Sequence, residues 1–137
     1  MESLLEYEKA CHSSSLMGEA NDCAVIAISI IAGISYKKAH KILKSLGRVD
    51  KDGTYPSVYI AAILKLGFDM EIVNERYSEH KTIKTLERYI CPNSNFLVTT
   101  RGHILAIKNG VVQDHSRGSR RRVKCIYKII PKLGKET

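Results

Sequence analysis

The periodicity of the apolar residues changes near Gly67, and that change limits the folds open to this chain. Before it, apolar residues run on unbroken or recur at helical spacing; after it, they come in short alternating runs. Residues 24–32 are almost wholly apolar and end at Gly33, which predicts a central, buried helix with Asn21 placed to cap it. Ser35 caps a second helix, through Ala39, Ile42, Leu43 and Leu46 to Gly47, and Pro56 opens a third that ends at Gly67. Residues 2–11 read as a short first helix and 13–18 as a loop.

Residues 68–73 and 95–99 then carry strand patterns, with a helix over 82–90 between them. Residues 103–108 and 111–114 flank Asn109-Gly110, the favoured pair for a two-residue type I′ turn, and so predict a hairpin. Residues 122–130 alternate apolar with basic and predict a final, half-exposed strand. Helices followed by strands give an α+β fold: an N-terminal helical lobe packed on a C-terminal antiparallel β-sheet.

At 137 residues, 44% hydrophobic and 26% charged, the chain fits one compact domain over 1–137. No apolar stretch approaches the roughly 20 residues that cross a bilayer, and Met1-Glu2-Ser3-Leu4-Leu5-Glu6 has no signal-like pattern. A cytoplasmic protein without membrane contact is expected. Cys11, Cys23, Cys91 and Cys125 show no C-x-x-C spacing, so free thiols are expected, with no metal and no cofactor.

The net charge is +8, and eight of the 22 Lys and Arg lie within 117–135, densest at Arg120, Arg121 and Arg122. That segment is either a solvated loop or a surface for an acidic protein or nucleic acid. No helix-turn-helix, finger or aromatic stacking motif accompanies it.

Cys23 stands at the start of the apolar helix, Gly102-His103 opens the first strand of the hairpin, and Asp114 closes the second. A helix N-terminus carries roughly half a positive charge and stabilises a thiolate, and an imidazolium beside it lowers the thiol pKa further. Gly102 before His103 suggests a close backbone approach, as a cleft wall requires. A thiol hydrolase needs such a thiol, a base to take its proton, and a third group that orients the base. Cys23, His103 and Asp114 are the candidate catalytic residues. Each also has a structural reading: Cys23 as a small core residue, His103 as a strand-end histidine, Asp114 as the cap of the turn that follows. Asn21 is either a helix cap or an oxyanion donor, and Asp22 a first-turn residue favoured by the helix dipole.

The remaining candidates have weaker settings. Cys11-His12 falls at a helix end, Cys91 precedes Pro92 in a turn, and Cys125 belongs to the alternating last strand. His40 and His80 lie among lysines and read as solvent-facing, while His115 is a rival to His103 through its nearness to Asp114.

This order of residues resembles the papain-like cysteine peptidase superfamily in its small bacterial and phage versions, similar to bacteriocin-processing peptidase domains. The sharp matches are confined to 21–31 and 102–114. The resemblance implies a cleft between lobes, Cys23 as nucleophile, His103 as general base and then acid, and Asp114 as the orienting residue. It implies hydrolysis of a peptide or isopeptide bond in a peptide or protein substrate through an acyl-enzyme. Members of the superfamily usually carry a Gln five or six positions before the cysteine, where this chain has Gly18 and Met17; Asn21 or helix-start N–H groups would replace it.

Two other functions fit the sequence. Peptidoglycan amidases and endopeptidases of the cysteine–histidine type share the Cys and Gly-His settings, although no wall-binding repeat is present. A non-enzymatic module using the basic C-terminal segment on nucleic acid or an acidic protein is the alternative outside enzymes.

Overall fold

The computed structural model describes residues 4–73 and 81–132. Glu2 and His80, named above, lie outside them. Five helices and one antiparallel five-stranded sheet make a mixed α and β fold among the described residues. The elements run α1 (Leu5–Leu16), α2 (Cys23–Ala32), α3 (Tyr36–Ser45), α4 (Pro56–Lys65), β1 (Phe68–Ile72), α5 (Ile83–Tyr89), β2 (Asn95–Thr100), β3 (His103–Lys108), β4 (Val111–Gln113) and β5 (Cys125–Pro131).

Local chemistry sets most of these boundaries. Gly33 ends α2 in the left-handed region at φ 66°, where a glycine pays no Cβ clash. The Ser35 hydroxyl accepts the Lys38 N–H at 3.1 Å to cap α3, and Pro56 opens α4 at a position that needs no N–H donor. The Thr82 hydroxyl accepts from Thr85 N–H at the start of α5. Asn109 and Gly110 both have positive φ, 54° and 80°, as the type I′ turn requires, and Lys108 pairs with Val111 across it.

Four expectations need correction, three of them here and the cap of α2 at the site below. Helix α1 continues to Leu16, through the serines expected to form a loop. Ser14 is buried and its hydroxyl donates to Asp22, so a tertiary hydrogen bond outweighs the weak helix propensity of serine. His40 is buried on the face that α3 shares with Tyr36, Ala39 and Leu43, not turned to solvent. Strand β5 starts at Cys125 instead of Arg122, which makes only an isolated bridge to Thr82, and it lies inside the sheet.

The strand order is β1-β5-β2-β3-β4, every neighbour antiparallel. Helices α1 to α4 share one core with Leu97, Ile104, Ala106 and Ile129, while α5 covers the other face over Phe96, Val98, Leu105, Ile107 and Ile126. Both faces of β2 and β3 are therefore buried, which is why these strands read as continuous apolar runs. Helix α2 packs on β3, and Cys23 at the start of the helix is hydrogen-bonded to His103 at the start of the strand.

Candidate active site

The segment that leads into α2 is pinned from below. Arg48 donates to both oxygens of Glu19, at 3.2 and 3.0 Å, and His40 Nε2 and the Lys51 N–H add to the same carboxylate. Burial alone would push Glu19 up, but these donors, Arg48 foremost, bring its pKa down to about 2. Lys51 also accepts, through its carbonyl, the Asn21 side-chain amide at 3.0 Å. Asn21 itself takes φ 53°, a left-handed conformation that asparagine tolerates better than most residues.

Asn21 is therefore not the cap of α2. Asp22 occupies that position, yet its carboxylate makes no cap hydrogen bond and accepts instead from Ser14 Oγ and Tyr36 OH, at 2.5 and 2.6 Å. A buried carboxylate thus ties α1, α2 and α3 together, and the first N–H groups of α2 are left without a capping side chain. One of them, the Ala24 N–H, donates to the sulfur of Cys23, the first residue of the helix.

On the opposing side, His103 opens β3 directly after Gly102 at φ 69°, in the two-residue turn that joins it to Thr100. Its Nε2 lies 2.9 Å from Asp114 Oδ2, which leaves Nδ1 for the thiol. Asp114 follows β4 and is 4% exposed; the same Oδ2 accepts the Ser116 N–H at 3.0 Å and the Ser116 hydroxyl. The turn-capping and histidine-orienting readings of Asp114 are thus one geometry. Glu87 of α5 fixes that turn by accepting from Val112 N–H at 2.6 Å and from Arg117 Nε at 2.8 Å. Gln113 faces α1, where its side-chain oxygen accepts the Tyr7 N–H.

The electrostatics follow from these contacts. Burial pushes the Cys23 thiol up, but hydrogen bonds from His103 and from the Ile104 and Ala24 N–H groups, with the charge of His103, bring it below its ordinary value. The His103 ring is raised to about 9, first by its hydrogen bond to Asp114 and then by Cys23, against the opposing effect of burial. Burial likewise opposes ionisation of Asp114, and His103 and Ser116 overcome it, so its carboxyl is held below the usual range. Each shift favours the charged form.

The three groups line a cleft of about 860 Å³, together with Asn21 and the aromatic rings of Tyr7, Tyr59 and Tyr127. The structure therefore brings Cys23, His103 and Asp114 together and sets Asn21 at the same cleft. Arg120, Arg121 and Arg122 are exposed and do not line it.

Sequence reasoning missed Tyr7, Tyr59 and Tyr127 and gave Cys11 and Cys125 a structural reading only, while His115, named as a rival to His103, does lie beside it. Cys11 and Cys125 also line the cleft. His115, on the exposed side of Asp114, has its ring 5.2 Å from that of His103 and its Nδ1 3.2 Å from the Tyr7 hydroxyl. Tyr7 and Cys11 belong to a helix with little amphipathic signal, so nothing local marked them. No protein-family model matches this chain, and neither a curated protein nor a solved structure matches it.

Proposed function

We propose that this protein is a cysteine-dependent hydrolase of papain-like type that cleaves a peptide or isopeptide bond through an acyl-enzyme. The observation that carries the reading is the array at the cleft: a thiol of lowered pKa at a helix start, an imidazole of raised pKa facing it, and a buried carboxylate on the far ring nitrogen. A core cysteine would need none of these partners.

In this reading the Cys23 thiolate attacks the carbonyl carbon, and negative charge gathers on the carbonyl oxygen. The N–H groups at the start of α2, which no side chain caps, are fixed donors for that oxygen, and the Asn21 amide at the same cleft could join them only by releasing a hydrogen from the Lys51 carbonyl or using its second one. His103 gives its Nδ1 proton to the departing amine, and the C–N bond breaks to leave a thioester on Cys23. Water then loses a proton to His103 as it attacks the thioester, which frees the acid and restores the thiolate–imidazolium pair. Asp114 keeps Nε2 protonated and the ring aimed at Cys23 throughout. The exposed Arg120, Arg121 and Arg122 suit a separate role, capture of an acidic partner outside the cleft.

The test is turnover of a panel of quenched peptides, isopeptide-linked peptides and peptidoglycan stem peptides, with Cys23→Ala as control. Turnover by the native chain that vanishes in a folded Cys23→Ala variant supports the reading and picks the bond class. No turnover, combined with labelling of Cys23 no faster than Cys11, Cys91 or Cys125, would sink it.

A further inference from the structure

We infer that His103, Asp114 and His115 form a zinc-binding site at the edge of the cleft, and that bound zinc silences the Cys23 thiol. One nitrogen from each ring and a carboxylate oxygen lie within 4.8 Å of one another. His103 Nε2 is 2.9 Å from Asp114 Oδ2, and His115 Nδ1 is 3.7 Å from Asp114 Oδ1. Zinc bonds of about 2.0 to 2.1 Å in tetrahedral array place donor atoms roughly 3.4 Å apart, which three ligand atoms all within 4.8 Å of one another reach by small side-chain rotations. Two imidazoles and a carboxylate also suit zinc better than magnesium or calcium, which prefer oxygen donors.

The site is accessible and supported. His115 is exposed, so an ion reaches it from solvent, while Ser116 donates two hydrogen bonds to Asp114 and Glu87 holds the turn through Arg117. A second cluster, Glu19, His40 and Asp50, is equally close. There the Arg48 guanidinium already occupies both Glu19 oxygens, and its fixed positive charge opposes a cation. At the cleft cluster the partner that a zinc ion would displace from His115 is neutral, the Tyr7 hydroxyl 3.2 Å from its Nδ1.

Zinc on His103 Nε2 replaces the proton that this nitrogen shares with Asp114; the proton leaves to solvent, and the carboxylate turns to the metal. The ring then loses the partner that aims Nδ1 at Cys23. Silencing rests on the proposed pairing of His103 with Cys23, whereas binding rests on the cluster alone.

The experiment uses the metal-free chain and Zn²⁺, with Mg²⁺ as comparison. Calorimetry measures binding and iodoacetamide labelling measures Cys23, so neither needs a substrate. One zinc per chain is expected, with binding kept in Cys23→Ala. His115→Ala should bind at least about tenfold more weakly, since even outer-sphere partners are worth about 10- to 100-fold in metal affinity. In the same variant zinc should no longer slow the labelling of Cys23, whatever its rate without metal. Undiminished binding in His115→Ala, or loss of binding in Cys23→Ala, overturns the inference. Should His115→Ala fail to fold, cobalt on the unaltered chain decides. Visible bands without a thiolate charge-transfer band in the near ultraviolet support the nitrogen and oxygen set, and a strong charge-transfer band overturns it.

Discussion

Arg48 and Glu19 meet through two parallel hydrogen bonds, 3.2 and 3.0 Å long, with the arginine side chain fully buried and the glutamate side chain 3% exposed. Breaking a buried pair leaves one charge stranded, at a cost of about 3 to 5 kcal/mol. Arg48→Ala should therefore lower the urea midpoint sharply without touching the cleft residues. Glu19 has its folded pKa depressed from 4.5 to about 2, so its contribution is complete above 4.5 and is lost as pH falls through about 2. The stability gap between the unmodified chain and Glu19→Gln should narrow over that interval. A gap that widened on acidification would contradict the pairing.

Cys23 and His103 should act as one titrating pair. His103 is raised from 6.5 to about 9, so the stability it contributes is full below 6.5 and lost as pH rises through about 9. The thiolate–imidazolium pair then spans the interval from the lowered Cys23 pKa up to about 9. Iodoacetamide should label Cys23 well below the free-thiol range near ~8.5. His103→Ala should move the onset of labelling upward, because burial then acts with less opposition. Asp114→Asn should bring the His103 titration, followed by NMR, down from about 9 toward 6.5, and shift labelling by less than His103→Ala does. An unchanged His103 titration would detach Asp114 from the site.

Gly110 offers a test of backbone strain. It has φ 80°, and a Cβ added there would lie 3.0 Å from the Cβ of Pro92. Gly118, at φ 79°, has nothing within 4 Å of the same added atom. Gly110→Ala should cost about 1 to 3 kcal/mol, and Gly118→Ala clearly less. Thermal unfolding of the two variants makes the comparison; equal losses would mean that the contact with Pro92 carries no weight.

Changing Arg120, Arg121 and Arg122 together to Gln should leave the melting temperature and Cys23 labelling unchanged, since all three are exposed and away from the cleft. Capture of an acidic partner should weaken, most strongly at low salt, where screening is least. Slower Cys23 labelling in a folded variant would place these arginines at the site after all.

The parts of this fold that were legible in the sequence are those set by nearest neighbours. The Ser35 cap, Pro56 at the start of α4, Gly33 at the end of α2 and the Asn109-Gly110 turn each depend on a few adjacent residues. Cys23, His103 and Asp114 were legible because each sits at the start or end of such an element. What was missed depends on distant partners. Three serines looked like a loop until Asp22, eight positions on, gave Ser14 a buried acceptor. His40 looked exposed because lysines flank it in sequence, although helical spacing puts it on the Tyr36 and Leu43 face. Asn21 looked like a cap, but its amide is claimed by a carbonyl thirty residues away.

The position of β5 between β1 and β2 has a kinetic consequence. Strand β5 follows both of its neighbours in the sequence and must slot between them, so the sheet cannot close until Pro131 is available. Until then β1 and β2 each expose an unpaired edge, the kind of surface on which nascent chains associate wrongly. These long-range pairings make folding slow for a chain of this size. Cys125 and Tyr127, which line the cleft, arrive with the same strand. A ribosome-bound or truncated chain ending before Cys125 would thus carry the Cys23 thiol without the strand that completes the cleft wall.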